Sequence, residues 1–268
     1  MSIKLGSVRA VVVSSPRAAE LFLKTHDHVF ASRPKTQAAE IVSYGSKAVA
    51  LTPYGTYWRN VRKLCAVHLL STSKMEQFKP TRTKMIGLMV DRLRGAGQKE
   101  EVVNVSEIVA EVFEKLLYRT ILGSGDNNDD DHDDHADDDM RVKEILGEMV
   151  KLGGAFNVSD YLPLLASLDL QGLAQRMRQL SESMDKILER IIEKHGQEDR
   201  DRNLKDYDFV DILRSKLNQP INPQDQNSEV LGRTHVKAIL IDMMVGAQDT
   251  SAVAIDWIFS EILKNPLV

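Results

Sequence analysis

The stretch KAILIDMMVGAQDTSAVAIDW, Lys237 to Trp257, decides the reading of this chain. It is apolar on most sides of a helix, the pattern of a buried element. Its middle is nevertheless Gly246-Ala247-Gln248-Asp249-Thr250-Ser251. Glycine in a helix interior costs about 1 kcal/mol relative to alanine. A buried acid costs more unless it is paired. Thr250 lies four residues after Gly246, so its hydroxyl can bond that carbonyl and compete with the helical ladder. These residues suggest a helix locally opened where a ligand approaches the backbone. A core helix with a small-residue packing notch fits them equally well.

Working outward, the chain is helical almost everywhere. The pattern predicts helices over Trp58–Leu70, Ser73–Arg94, Ser106–Leu122 with Ser106 as N-cap, Met140–Leu152, Leu170–His195, Lys205–Leu217 and Thr234–Leu263. A short helix is expected within Gln37–Leu51, and Asp160-Tyr-Leu-Pro163 is expected to close in a loop. At the N-terminus Ile3–Leu5 and Ala10–Ser14 read as short strands around Gly6. Ser15-Pro16 then reads as an N-cap followed by a first-turn proline. The expected fold class is mainly α with a small β-sheet near the N-terminus, in one domain over 1–268.

With 268 residues, 43% hydrophobic and 28% charged, the chain is long enough to bury a core. The sequence reading finds no run of the roughly 18–20 apolar residues that span a membrane, and no secretory signal. One cysteine, Cys65, excludes an intrachain disulfide and any Cys-pair metal site. The segment 126–139 carries nine aspartates and no cation; without it the net charge of −4 becomes +5. That is too weak and too dispersed for a nucleic-acid reader. The segment lacks the spacing of an EF-hand and reads as a like-charged loop, as Gln197–Arg202 reads as a solvated one.

A second stretch, PYGTYWRNVRKLCAV from Pro53 to Val67, starts as a turn and continues as a helix. It places Trp58 and Arg62 on one face, four residues apart. Alone, a W-x-x-x-R spacing is more often a core anchor beside a surface cation.

Together and in order, these motifs resemble the cytochrome P-450 family of heme-thiolate monooxygenases. GAQDTS is similar to the distal I-helix motif, and YWRNVRK to the C-helix motif W-x-x-x-R. FASRP (Phe30 to Pro34), PYGTYWRNVRKLC, Asp160-Tyr-Leu-Pro163 and Leu168-Asp-Leu-Gln-Gly172 are especially similar to plant microsomal members. The resemblance implies the N-terminal part of the P-450 fold, ending just after the I helix. It implies heme b with its iron, with Trp58 and Arg62 at the heme propionates and Gly246 and Ala247 beside the heme. It gives Asp249 and Thr250 catalytic roles in proton delivery and dioxygen binding. Val49, Ala50, Leu51 and Val245 become candidate substrate-pocket residues, and Arg59 and Lys63 are expected to face solvent.

The partners implied are an NADPH-dependent reductase and a small apolar or phenolic substrate. The location implied for a full-length parent is the cytosolic face of the endoplasmic reticulum membrane. The family's axial cysteine loop, E-x-x-R motif and N-terminal anchor are expected to lie outside this sequence. The chain then reads as a monooxygenase fragment or as a non-catalytic helical remnant. Cys65, three residues after Arg62 on the C helix and without a glycine-rich loop, is no substitute for the axial ligand.

Overall fold

The computed structural model describes residues 1–123, 136–198 and 207–265, with 136–140 and 198 described by their backbone only. The chain begins with a two-stranded antiparallel sheet. β1 (Ser2–Leu5) pairs with β2 (Val8–Val11) in the register Ser2↔Val11, Ile3↔Ala10, Lys4↔Arg9, Leu5↔Val8. The second strand starts two residues earlier than its apolar run suggests, because Gly6-Ser7 alone makes the turn. Gly6 has φ +59°, and a Cβ there would lie 2.3 Å from the Tyr161 carbonyl oxygen. Glycine is needed on both counts. Ser7 donates to that same oxygen from its N–H at 2.8 Å and its Oγ at 2.9 Å.

The remaining elements are helices. α1 (Pro16–Glu20) opens as expected, with the Ser15 hydroxyl accepting from the Ala18 N–H and proline in the first turn. A π-helical turn, Leu21–Thr25, leads to α2 (Asp27–Phe30). α3 (Gln37–Val42) is capped by Thr36. α4 (Thr56–His68), α5 (Thr72–Gln77), α6 (Lys79–Gln98) and α7 (Val105–Leu117) follow. The expected helix 73–94 is thus two helices that part at Phe78, and Pro80 sits in the first turn of the second. Asn104, rather than Ser106, caps α7: its side chain accepts from the Glu107 N–H.

α8 (Ala136–Gly154) takes in the last four residues of the acidic segment, and the rest of that segment lies outside the described residues. The stretch expected as a loop at 160–163 holds α9 (Val158–Tyr161) and a 3₁₀ turn, Pro163–Leu168. α10 (Leu173–Glu198) includes Gln197, which the sequence places in a loop; 199–202 fall outside the described residues. α11 is Phe209–Ser215. α12 (Arg233–Gln248) and α13 (Thr250–Lys264) share the last apolar pattern.

By length and composition the stretch Arg233–Lys264 is apolar enough to cross a membrane, contrary to the reading that no such run exists. Its first half is core, however. His235 through Ile241 and Met244 are all buried, whereas in α13 only Ala252 is. Val253, Trp257, Ile258, Ile262 and Leu263 are exposed.

The chain divides into two compact units. The first is Met1–Leu64, Val142–Glu189 and Leu217–Ile239; the second is Cys65–Arg141, Arg190–Lys216 and Leu240–Val268. In the first, Ala38 of α3, Leu152 of α8 and Leu173 and Met177 of α10 form a core cluster, with Ile41 and Leu180 against it. A cavity of about 280 Å³ beside it is lined by Thr36, Gly153, Phe156, Asn157, Asp160 and Met177 among others. In the second, α7 packs on α6 and α13, and α11 on the π-helical segment Tyr118–Leu122. Phe78 meets Phe209 edge-on, with centroids 6.0 Å apart.

Candidate functional site

The motif residues fall into two groups, one in each unit. In the first unit the turn 53–55 delivers Trp58 to the first turns of α4, half-buried. Its indole N–H donates to the Val49 carbonyl at 3.0 Å. The Tyr54 ring lies 5.4 Å away at 51°. The guanidinium carbon of Arg33 stands 5.3 Å from the indole centroid. Arg33 is itself anchored, donating from Nη1 to Ala31 O at 2.8 Å and from Nε to Ala50 O at 3.3 Å.

Arg62, one turn beyond Trp58, is exposed and makes no hydrogen bond or ion pair among the described residues. Arg59 and Lys63 are exposed as expected; Arg59 bonds Thr56 at 3.2 Å, and Lys63 bonds Gln224 at 2.7 Å. Asn60 is buried, bonded to Asp225 and Asn222 next to the Lys63–Gln224 contact. Val49, Ala50 and Leu51 belong to the bent segment 48–52, in which Ala48 and Thr52 are the buried residues. None of the three lines the nearby cavity.

In the second unit the last helix breaks at the expected place. α12 ends at Gln248, Asp249 sits at φ −115° and ψ −25°, and α13 resumes at Thr250. Thr250 Oγ1 donates to the Gly246 carbonyl at 2.8 Å, the back-bond that competes with the ladder. Gly246, Asp249 and Thr250 are exposed, and a Cβ on Gly246 would meet nothing within 4 Å. Val245 and Ala247 are half-buried. The joint therefore presents a small-residue face with one carboxylate and one hydroxyl at its edge.

Two buried polar clusters escape sequence reasoning. In the second unit His195 Nδ1 lies 2.8 Å from the Ile191 carbonyl and Nε2 lies 2.9 Å from Asp208 Oδ2. With a carbonyl on one side and a carboxylate on the other, the ring is suited to donate from both nitrogens. Burial pulls its pKa down, but the Asp208 hydrogen bond and charge outweigh that, and the net shift is upward. Asp208 also forms a capping box with Asp211 at the start of α11. Burial, then the Asp208 charge, raises the Asp211 carboxyl to about 6.

The ligand atoms of His195, Asp208 and Asp211 lie within 4.8 Å of one another, as a metal site would need. Here the Asp208 oxygens are spent on His195 and the Asp211 N–H. Asp208-x-x-Asp211 was the one legible signal, as a capping box. In the first unit Lys237 of α12, only 9% exposed, bonds Asp185 at 2.7 Å and Glu189 at 2.6 Å, both on α10. Asp185 also accepts from the Tyr44 hydroxyl at 2.9 Å. Burial first, then Asp185, drives the Tyr44 pKa far up.

Comparison with known proteins gives these arrangements their context. A family model described as Cytochrome P450 matches residues 1–268. The curated protein Cytochrome P450 CYP736A12 of Panax ginseng is 43% identical over 266 residues, covering 99% of this chain and 51% of that protein. A flavonoid 3'-monooxygenase of Arabidopsis thaliana is 34% identical over 269 residues, covering 99% and 50%. Among solved structures, a zebra fish cytochrome P450 with progesterone superposes at a TM-score of 0.70 and 16% identity. It covers all of this chain and 57% of that one.

The chain belongs to the cytochrome P450 family. It spans about half the length of the curated relatives it matches.

Proposed function

We propose that this chain supplies the I-helix and C-helix parts of a heme-dependent monooxygenase, one that inserts one atom of dioxygen into an organic substrate. The observation that carries the reading is the helix break at Asp249: an apolar helix pauses for one residue directly after Gly246-Ala247-Gln248 and places a carboxylate and a hydroxyl there. Gly246 is exposed, and a Cβ on it would meet open space among the described residues.

The residues present fit heme b, the cofactor the family implies. Gly246 and Ala247 offer a face that a flat ring can approach closely. Arg62 offers an exposed guanidinium without a partner among the described residues, the planar donor a propionate carboxylate favours. Trp58 would flank that propionate with its ring. Bound heme supplies dioxygen activation; the protein supplies binding, orientation and proton control. Thr250 holds its hydroxyl proton toward Gly246 O, leaving Oγ1 lone pairs free to accept. Asp249, exposed at the helix break, would take up a proton from solvent and pass it inward.

Val245 and the segment Val49–Leu51 would contribute to the substrate pocket. A small apolar or phenolic substrate suits such apolar residues, and the flavonoid 3'-monooxygenases among the relatives support the phenolic class. The electron donor would be an NADPH-dependent reductase. The site of action would be the cytosolic face of the endoplasmic reticulum membrane.

The test is heme uptake by this chain joined to the C-terminal half of its Panax ginseng relative, with Arg62→Gln as the comparison. Heme binding about tenfold weaker in the variant, the equivalent of about 1.4 kcal/mol, supports the reading. Equal affinity removes Arg62 from the site.

A further inference from the structure

We propose that Arg33 is a positioning residue: stacked on Trp58, it holds the bend at Val49–Ala50 and so fixes the segment assigned above to the substrate pocket. The inference rests on that assignment for its functional meaning, and on the geometry of the first unit for its substance. Two neighbouring carbonyls of the segment are each taken by a different side chain. Val49 O accepts from the Trp58 indole at 3.0 Å and Ala50 O from Arg33 Nε at 3.3 Å. The two donors are themselves paired, with the guanidinium 5.3 Å from the indole centroid.

Sequence chemistry prepares Arg33 for this role. It precedes Pro34, which disfavours helical backbone at the residue before it. α2 accordingly ends at Phe30, and 31–36 run without regular structure. From there the side chain bonds Ala31 O with Nη1, so the guanidinium plane is fixed by two carbonyls from two segments. A planar fork can meet both while lying flat over an indole, a geometry that a flexible point-charge ammonium does not hold.

The flanks of the segment are held independently. Tyr57 Oη donates to Lys47 O at 2.7 Å, and the Thr52 hydroxyl bonds the Ala48 carbonyl. Between these anchors Val49 and Ala50 have Trp58 and Arg33. The indole N–H is a single donor. Spent on Val49, it makes Trp58 a brace for the segment and leaves charge pairing on this face of α4 to Arg62.

The experiment uses the whole chain, free of heme, with Trp257→Phe so that Trp58 is the sole tryptophan. Arg33→Gln and Arg33→Lys are compared by acrylamide quenching of Trp58 and by tryptic cleavage after Lys47. Far-UV circular dichroism and the thermal midpoint report the global fold. For Arg33→Gln the expected result is about a twofold rise in the quenching constant and severalfold faster cleavage after Lys47, with an unchanged spectrum. Arg33→Lys should recover neither.

Unchanged quenching and cleavage in Arg33→Gln, or full rescue by Arg33→Lys, would overturn the proposal. Should Arg33→Gln unfold, Trp58→Phe serves in its place, with cleavage after Lys47 as the readout. It keeps a ring but removes the donor to Val49, and faster cleavage after Lys47 is expected while an unchanged rate would refute the brace. These readouts need no heme, so a failure of heme uptake in the joined protein would strike the monooxygenase reading and leave the brace standing.

Discussion

The start of α4 and the joint between α12 and α13 hold the family's motif residues, and they are built in opposite ways. The α4 region is tied from outside the helix. Trp58 is fixed by Val49 and Arg33, well back along the chain, with the Tyr54 ring against it. The joint is tied to itself: Thr250 bonds Gly246 four residues back, and both are exposed. Structure held by distant partners should be expensive to disturb. Structure that a helix makes from its own neighbours should be cheap to change in stability, while remaining costly to change in function.

The largest effect is expected where distant ties are also buried. Lys237→Met leaves Asp185 and Glu189 facing an apolar side chain; the acids are 39% and 30% exposed, so the loss should be about 2–3 kcal/mol, below the roughly 3–5 kcal/mol of a fully buried pair. The urea midpoint of the chain should fall accordingly, and a loss below about 1 kcal/mol would show the triad to be solvated. Next comes Trp58→Ala. Full truncation of a buried tryptophan costs roughly 3–5 kcal/mol, and the half-buried ring of Trp58 should lose about 2 kcal/mol on the same scale. An effect as small as that of a surface substitution would break the contrast drawn here.

The His195 cluster is a third distant tie, and pH is the way to probe it. A histidine whose pKa is raised in the fold contributes stability that is complete below its unfolded pKa of about 6.5 and is lost as pH rises through the folded value. Asp211, raised to about 6, acts in the same sense, because the fold binds its proton more tightly than the open chain does. His68 and His235, whose pKa values burial lowers, act in the opposite sense, so the cluster's share is read as a difference. The advantage in thermal midpoint of wild type over His195→Gln should shrink as pH rises from about 5 past 7, which differential scanning fluorimetry can follow. A difference that grows with pH through this range would contradict the imidazolium assignment.

The smallest effect belongs to the joint. Thr250→Val removes one exposed back-bond that itself opposes the ladder, so stability should stay within about 0.5 kcal/mol of wild type. A loss above 1 kcal/mol in thermal unfolding would mean that the hydroxyl is structural, and would weaken its assignment to catalysis.

The same contrast explains what could be read from the sequence. The break at Asp249 and the Thr250–Gly246 bond were legible because four-residue spacing carries the whole interaction. So was the Ser15 cap. The pairing of Trp58 with Arg33 was not, since the 24 residues of intervening chain carry no signal of it. The Lys237 triad joins helices far apart in sequence, and a lone lysine in an apolar helix gives no hint of its acids. Boundaries slipped where two local rules competed. Asn104 and Ser106 could each cap α7, and the apolar run Val11–Val13 hid a strand that begins at Val8. The apolar length of Arg233–Lys264 is masked in the sequence for a related reason: Gln248-Asp249-Thr250-Ser251 interrupts its apolar run.

α13 links the fold to the functional account. Its apolar residues Val253, Trp257, Ile258, Ile262 and Leu263 are exposed in this chain, and clustered exposed apolar side chains mark interaction or aggregation surfaces. The isolated chain should therefore self-associate, as seen by light scattering, and Ile258→Glu with Ile262→Glu should reduce it. A monodisperse wild-type monomer would count against that.

We have proposed that α4 and the α12–α13 joint are parts of one heme monooxygenase. The reduced carbon-monoxide difference spectrum of this chain joined to the C-terminal half of its Panax ginseng relative, beside that of the chain alone, tests it. A strongly red-shifted Soret band is expected from the joined protein, the signature of thiolate-ligated heme. None is expected from the chain alone, whose single cysteine, Cys65, is buried on α4. A joined protein that folds, stays soluble and takes up no heme would contradict the proposal.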